Sequence, residues 1–354
     1  MNASAEDIRW QGDLDRADRD TGGGGTYPLV HVRTPTYRRP EDLKRCLQSL
    51  QRQTWSNWIC DVFDDDPDAS GRDVVGEMGD SRIRYRRNAT QKFASANIDQ
   101  CFSSANPHGA DYFCVVEDDN AILPDFMETG IADCLEYGVE ILLRDQLILP
   151  SNEAPPSGSD GRTTLGNRFA EGVHQPGKLR LALIVFHGVS NGALFWSRHA
   201  RSKLRIGYPC NATLQEYLRT YAIAEPIFVS HRPLGIWADN ADATQRNLGL
   251  GTSEFRREIN LKRSIVTLQE RVWADASPDE RAGFLGDKAF LFSKKARAEG
   301  LAKAHLVANA GRQLSAKRAA ELFARGLLIR TMGRPEPGLA EFIRARRGAI
   351  SEEA

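Results

Sequence analysis

The run Cys114-Val-Val-Glu-Asp-Asp-Asn120 joins an apolar, strand-like stretch to three consecutive acidic residues. Adjacent carboxylates repel one another, so three at a strand end require a cation or a set of hydrogen-bond donors. Two upstream segments repeat the pattern: Tyr27–Pro40 (YPLVHVRTPTYRRP) and Asp61–Asp66 (DVFDDD) each run apolar and turn polar where a strand would stop. In an open α/β sheet, ligands bind just beyond the carboxyl ends of the strands. Three polar strand ends therefore imply one shared site, and their chemistry is that of a metal-dependent site for a phosphorylated ligand.

The elements that must position these residues alternate. Strands are predicted at Pro28–Thr34, Trp58–Phe63, Arg82–Arg87 and Tyr112–Val116. Between and after them lie helices at Glu41–Gln53, with Leu43, Cys46, Leu47 and Leu50 on one face, and at Val74–Met78, Phe93–Ser104 and Pro124–Tyr137. This β-α-β-α order predicts a doubly wound, mostly parallel sheet flanked by helices. Residues 151–178 read as a long functional loop. Strands at Leu181–Phe186 and Ala193–Trp196, a helix at Leu214–Tyr221 and a strand at Pro226–Ser230 follow.

Beyond Ser253 the pattern is helical: Phe255–Ala274, Pro278–Lys295, Ala298–Ala310 and Ala316–Ile329. Residues 254–354 hold 20 basic and 13 acidic side chains, a surplus of seven that the rest of the chain balances. The expected organisation is a flexible segment over 1–26, ending in Gly22–Gly25, an α/β domain over 27–250 and a helical module over 251–354. All three polar strand ends lie between Thr34 and Asp119, so the tail can only flank that part of the sheet.

With 354 residues, 41% apolar and 27% charged, the composition is that of a globular protein, and zero net charge gives no footprint for nucleic acid. The longest apolar run is strand-sized, not membrane-sized. Met1–Asp7 has neither a basic nor an apolar leader region, so a cytoplasmic protein is expected, with its six cysteines as reduced core thiols.

Taken in order, the motifs resemble those of the family-2 glycosyltransferases, which share the GT-A fold. Thr34-Pro-Thr-Tyr37 with Arg39-Pro40 is similar to the family's first strand end, and Val62-Phe-Asp-Asp-Asp66 to its second. Glu117-Asp-Asp119, followed by Leu123-Pro-Asp125, stands where the metal-binding DXD motif belongs. Ser190-Asn-Gly-Ala-Leu-Phe195 resembles the acceptor-side strand, and Leu214-Gln-Glu-Tyr-Leu218 the helix that carries the base. The resemblance covers roughly residues 27–245.

It implies an inverting transfer from a nucleotide-diphospho-sugar, most simply a UDP-sugar, to the hydroxyl of a saccharide, lipid-linked or other acceptor. It implies that Thr34, Pro35, Tyr37 and Asp64 or Asp65 surround the base, that Glu117 and Asp118 face the donor, and that Asp119 binds Mn2+ or Mg2+. Glu216 is then the general base, with His187 or His231 as alternatives, and Arg72 or Arg87 could reach the diphosphate. The basic C-terminal helices resemble those that serve as dimer or peripheral membrane contacts. The chain departs from the family pattern at Glu117, Asp66 and Gln215, and no late histidine offers a third metal ligand, leaving Asp239 or Asp242. A sugar-nucleotide pyrophosphorylase, or a non-catalytic scaffold on a decayed transferase, are the competing readings.

Overall fold

The computed structural model describes residues 27–149, 161–166, 169–185, 188–239, 252–287 and 316–351. Four parallel strands form the first half of the sheet: β1 (Val30–Thr36), β2 (Trp58–Asp64), β3 (Ile83–Arg87) and β4 (Tyr112–Val115). β1 is central, paired with β2 on one side and β4 on the other, and β3 lies outside β2. The crossovers are α1 (Pro40–Gln51), α2 (Gly71–Met78) and α3 (Phe93–Gln100). α1 starts on Pro40, carries Glu41 and Asp42 in its first turn and buries Leu43, Cys46, Leu47 and Leu50, the stripe expected from the sequence.

Past β4 the sheet becomes mixed. β5 (Ala121–Ile122) and α4 (Phe126–Tyr137) lead to β6 (Ile141–Leu149), and β8 (Leu194–Ser197) inserts antiparallel between β4 and β6. β9 (Ile227–Ala238) runs parallel to β6, while β5 and β7 (Gly172–His174) pair antiparallel with β9. No strand was expected at 141–149, because Arg144-Asp145-Gln146 interrupts its apolar run. Tertiary partners explain the interruption. Arg144 is fully buried, donating to the carbonyl of Phe126, to Thr129 and to Asp133, and Asp145 accepts from the N–H groups of Gln146 and Leu165. The strand slips register between Arg144 and Gln146.

Leu181–Phe186 is not the expected strand. α5 (Pro176–Ala182) begins at a proline, and Leu183, Ile184 and Val185 continue it in tight turns, their N–H groups bonded three residues back. The run is buried on all sides, so its apolarity carried no period to distinguish helix from strand. Phe186 lies outside the described residues. All six cysteines are buried free thiols, as expected.

α6 (Ala212–Ala222), capped by Asn211, carries Glu216. Its apolar residues Leu214, Tyr217, Leu218 and Tyr221 share one core with Leu261, Ile265 and Leu268 of α7 (Ser253–Asp275) and with Leu339, Phe342 and Ile343 of α10 (Leu339–Ser351). Gln269 of α7 donates to the Leu183 carbonyl. α8 (Pro278–Gly286) and α9 (Ala316–Met332) complete the described helices, and the segment expected as a helix at Ala298–Ala310 lies outside them. Deleting residues 254–354 strips the outer face of α6. Several large side chains exposed at about 1.5–3 kcal/mol each should lower the melting temperature sharply or cause aggregation. Calorimetry showing a truncated chain as stable as the full one would contradict that packing.

Candidate active site

The ends of β1 and β4 are tied together by the acidic run. Thr36 donates its hydroxyl to Asp118 Oδ2 at 2.8 Å, and the Tyr37 N–H reaches the same oxygen at 3.3 Å. Arg39 bonds Asp119 Oδ2 at 2.7 Å and lies 3.5 Å from Asp118 Oδ1. Glu117 turns the other way, its two oxygens accepting from Asn120 Nδ2 at 3.1 Å and Asn191 Nδ2 at 3.2 Å. Asn191 opens the short turn before β8, so that turn meets the acidic run.

Glu216 joins this group from α6. Its carboxyl lies in the field of Glu117 and, more weakly, of the Asn191 backbone N–H. Burial, then repulsion from Glu117, pushes the Glu216 carboxyl up to about 8. Burial and the charge of Asp119 push Glu117 up to about 7 and Asp118 up to about 6. Like charges gathered in a desolvated place are electrostatically costly. Hard oxygen donors gathered in this way suit a divalent cation. Arg39 supplies part of the same neutralisation.

The other expected donor residues are less open than their motifs imply. Thr34 is fully buried with its hydroxyl 3.6 Å from Cys60 Sγ, and Pro35 is buried beside it. Asp64 accepts from the N–H groups of Asp66 and Gly71 and from the Tyr85 hydroxyl. Asp65 accepts from Asn88 and from the N–H groups of Lys92 and Phe93. Both carboxylates are buried and hold loops in place. Tyr37, by contrast, is 41% exposed, and Phe93, brought to the same edge by Asp65, is 69% exposed. Arg38, Ala69 and Phe93, which follow β1, β2 and β3, all have positive φ, so backbone strain collects along this edge of the sheet.

Arg72 packs over the Tyr85 ring, and Arg87 donates to the Pro67 carbonyl. His231 bonds the Phe169 carbonyl at 2.6 Å, and Asp239 pairs with Arg162. His187 and Asp242 lie outside the described residues.

Among the described residues, one group brings three possible metal-ligand atoms within 4.8 Å of one another: His31, Asp61 and His108. It sits at the start of β1, about five residues or 16 Å from the acidic run. Arg33 donates to His31 Nδ1 at 3.4 Å, so Nε2 holds the proton and donates to Asp61 at 3.2 Å. Arg86 and His108 also bond Asp61, at 3.1 and 3.0 Å. Against the effect of burial, the histidine bonds hold the Asp61 carboxyl well below the usual range. With a guanidinium on each flank, the group reads as a hydrogen-bonded charge cluster.

Thr36, Asn191, Arg219 and Asp99 belong to the site and were not singled out from the sequence. Arg219 donates to Asn191 Oδ1 at 2.5 Å and to Asp99 Oδ1 at 3.0 Å. For Arg219, an arginine three residues after a catalytic candidate was the available signal, and a solvated helix face would give the same spacing.

This arrangement, with parallel strands ending in tied acidic loops and an antiparallel strand beside them, is a GT-A fold. A crystal structure of S. aureus TarS residues 1–349 is similar, with TM-score 0.51 and 13% identity over 91% of this chain and 83% of that one. The same protein in complex with UDP-GlcNAc gives TM-score 0.50 and 13% identity over 92% and 88%. Residues 32–148 match the family model of glycosyl transferase family 2. Over 124 residues it is 24% identical to the Escherichia coli UDP-Glc:alpha-D-GlcNAc-diphosphoundecaprenol beta-1,3-glucosyltransferase WfgD. That match covers 35% of this chain and about half, 48%, of the relative.

Proposed function

We propose that this protein transfers a sugar from a nucleotide-diphospho-sugar, a UDP-sugar, to an acceptor hydroxyl with inversion, assisted by Mn2+ or Mg2+. The observation that carries the reading is that Asn191, bonded to Glu117 of the acidic run, sits in a turn packed on the helical turn of Glu216, which joins a donor side and an acceptor side in one site. The WfgD name specifies a UDP-sugar donor and a lipid-diphosphate acceptor, which agrees with it.

Tyr37 and Phe93 offer flat apolar surface to the base, beside the Thr34–Pro35 strand end, while Asp64 and Asp65 fix the loops that present them. Asp119, with Asp118 held beside it by Thr36, would hold the cation. When bound, that ion would offset the charge developing on the leaving diphosphate. Arg39 adds a fixed positive charge at the same place. Glu216 takes the proton from the acceptor hydroxyl as its oxygen attacks the anomeric carbon. The bond from that carbon to the diphosphate breaks on the opposite face, and the nucleotide diphosphate leaves.

No described helix is long and apolar enough to cross a membrane. A lipid-linked acceptor would bring a cytoplasmic protein to the bilayer surface. Phe323, Leu327 and Met332 of α9, exposed near Arg325 and Arg330, suit such a contact or a second copy of the chain. Liposome sedimentation and light scattering separate the two, since attraction to anionic lipid weakens with salt whereas an apolar dimer contact does not.

The test of the activity is release of UDP from UDP-sugars in Mn2+. A pyrophosphorylase would instead need pyrophosphate and form UTP, and a scaffold would bind without turnover. Either result would overturn the proposal.

A further inference from the structure

Asn191 stands between the two acids. Its side-chain amide donates to Glu117 Oε1 at 3.2 Å, its Oδ1 accepts from Arg219 at 2.5 Å, and the turn that carries it packs on the backbone of Glu216. A guanidinium can only donate, so Arg219 fixes which way the amide faces: oxygen toward Arg219, nitrogen toward Glu117. Arg219 is itself immobilised. It is fully buried, pairs with Asp99 at 3.0 Å and lies over the Phe102 ring at 3.8 Å. Asp99 is anchored in turn by the N–H groups of Ile206 and Gly207, at 2.8 and 2.9 Å.

The segment before Asn191 rests directly on the turn of α6 that bears Glu216. Val189 N–H donates to Thr220 Oγ1 at 2.8 Å, and that hydroxyl donates to the Glu216 carbonyl at 2.8 Å. Gly188 has φ +97, and a Cβ there would lie 2.9 Å from the Glu216 carbonyl oxygen. The turn that carries Asn191 thus has little freedom to slide along α6.

We infer that Asn191, clamped by Arg219 and Asp99, is the positioning residue that sets the spacing between the donor-side acid Glu117 and the acceptor-side acid Glu216. The roles of the two acids rest on the function proposed above; the contact itself does not. A core asparagine that merely filled space would need neither an oriented amide nor a buried ion pair to orient it.

The test is a double-mutant cycle on the full chain. Asn191→Asp keeps the shape and the acceptor for Arg219, but turns an acceptor toward Glu117 in place of a donor. Glu117→Gln then restores a donor–acceptor pair with the direction reversed. In melting temperature, Asn191→Asp should destabilise the wild-type background and cost clearly less in the Glu117→Gln background. In turnover at saturating donor, Asn191→Asp should lower kcat by roughly 10²-fold, the cost of a displacement near 1 Å. In the Glu117→Gln background its further effect should stay within about twofold, as for a lost contact.

Equal losses of stability in both backgrounds would overturn the contact. Coupled stability with equal losses of kcat would overturn the positioning role. Coupled stability in a wild-type chain that releases no UDP from any UDP-sugar would count against the proposed function while leaving the contact standing. Gly188→Ala gives an independent check, since it moves the turn without altering an acid. It should lower kcat more than it raises the donor KM, and an unchanged kcat would count against the clamp.

Discussion

Replacing Asp119 by Asn is expected to abolish Mn2+-dependent UDP binding while leaving the fold intact. The amide has nearly the same shape, and Arg39 keeps Asp118 as a partner at 3.5 Å, so little packing is lost. What disappears is the charge that makes a hard-cation ligand. Titration calorimetry with UDP should show wild-type affinity falling on removal of Mn2+, and the variant remaining at that metal-free level with or without the ion. If the variant binds UDP in Mn2+ as the wild type does, Asp119 is not the ligand. A wild type indifferent to Mn2+ would instead leave neutralisation to Arg39 and remove the ion from the mechanism.

Glu216→Gln should retain donor affinity and lose transfer by roughly 10²–10⁴-fold, the usual contribution of a general base. Because the base must be ionised to accept a proton, transfer by the wild type should rise with pH and level off above about 8, the value to which burial pushes the Glu216 carboxyl. The same displacement has a consequence for stability. Between its ordinary value of 4.5 and about 8, the folded carboxyl keeps a proton that the unfolded chain has already released. The folded state binds more protons in that window, so stability falls as pH rises through it and is level beyond it. The Gln variant lacks this contribution, and its melting temperature relative to wild type should climb between pH 5 and pH 8.5. A variant with near-wild-type turnover would remove Glu216 from the chemistry and leave His187 as the next candidate. A melting difference that does not change with pH would show that the carboxyl is not held neutral.

The donor half of the sheet was legible because its signals are local. Apolar runs of strand length ending in Thr34–Tyr37, Asp64–Asp66 and Glu117–Asp119 announce strands and their functional ends without reference to the rest of the chain. Pro40 and the stripe from Leu43 to Leu50 announce α1 in the same way. The order of those motifs led to the fold class and to the family that residues 32–148 match. The sequence by itself therefore determined which residue types gather at the edge of the sheet and in what order.

It could not determine which way they face. Asp64 and Asp65 look like free acids until Gly71, Tyr85, Lys92 and Phe93, contributed by α2, β3 and the start of α3, fold over them. β6 was hidden by a buried arginine whose partners lie on α4, and α5 by an apolar run buried on every side. Asn191 reaches Glu117 across 74 residues, and Arg219 reaches Asp99 across 120. Periodicity reports on neighbours along the chain, whereas the direction of a buried polar side chain is set by partners distant in sequence. Only the tertiary structure, which must satisfy those groups once water is excluded, decided that Asn191 stands between the two acids.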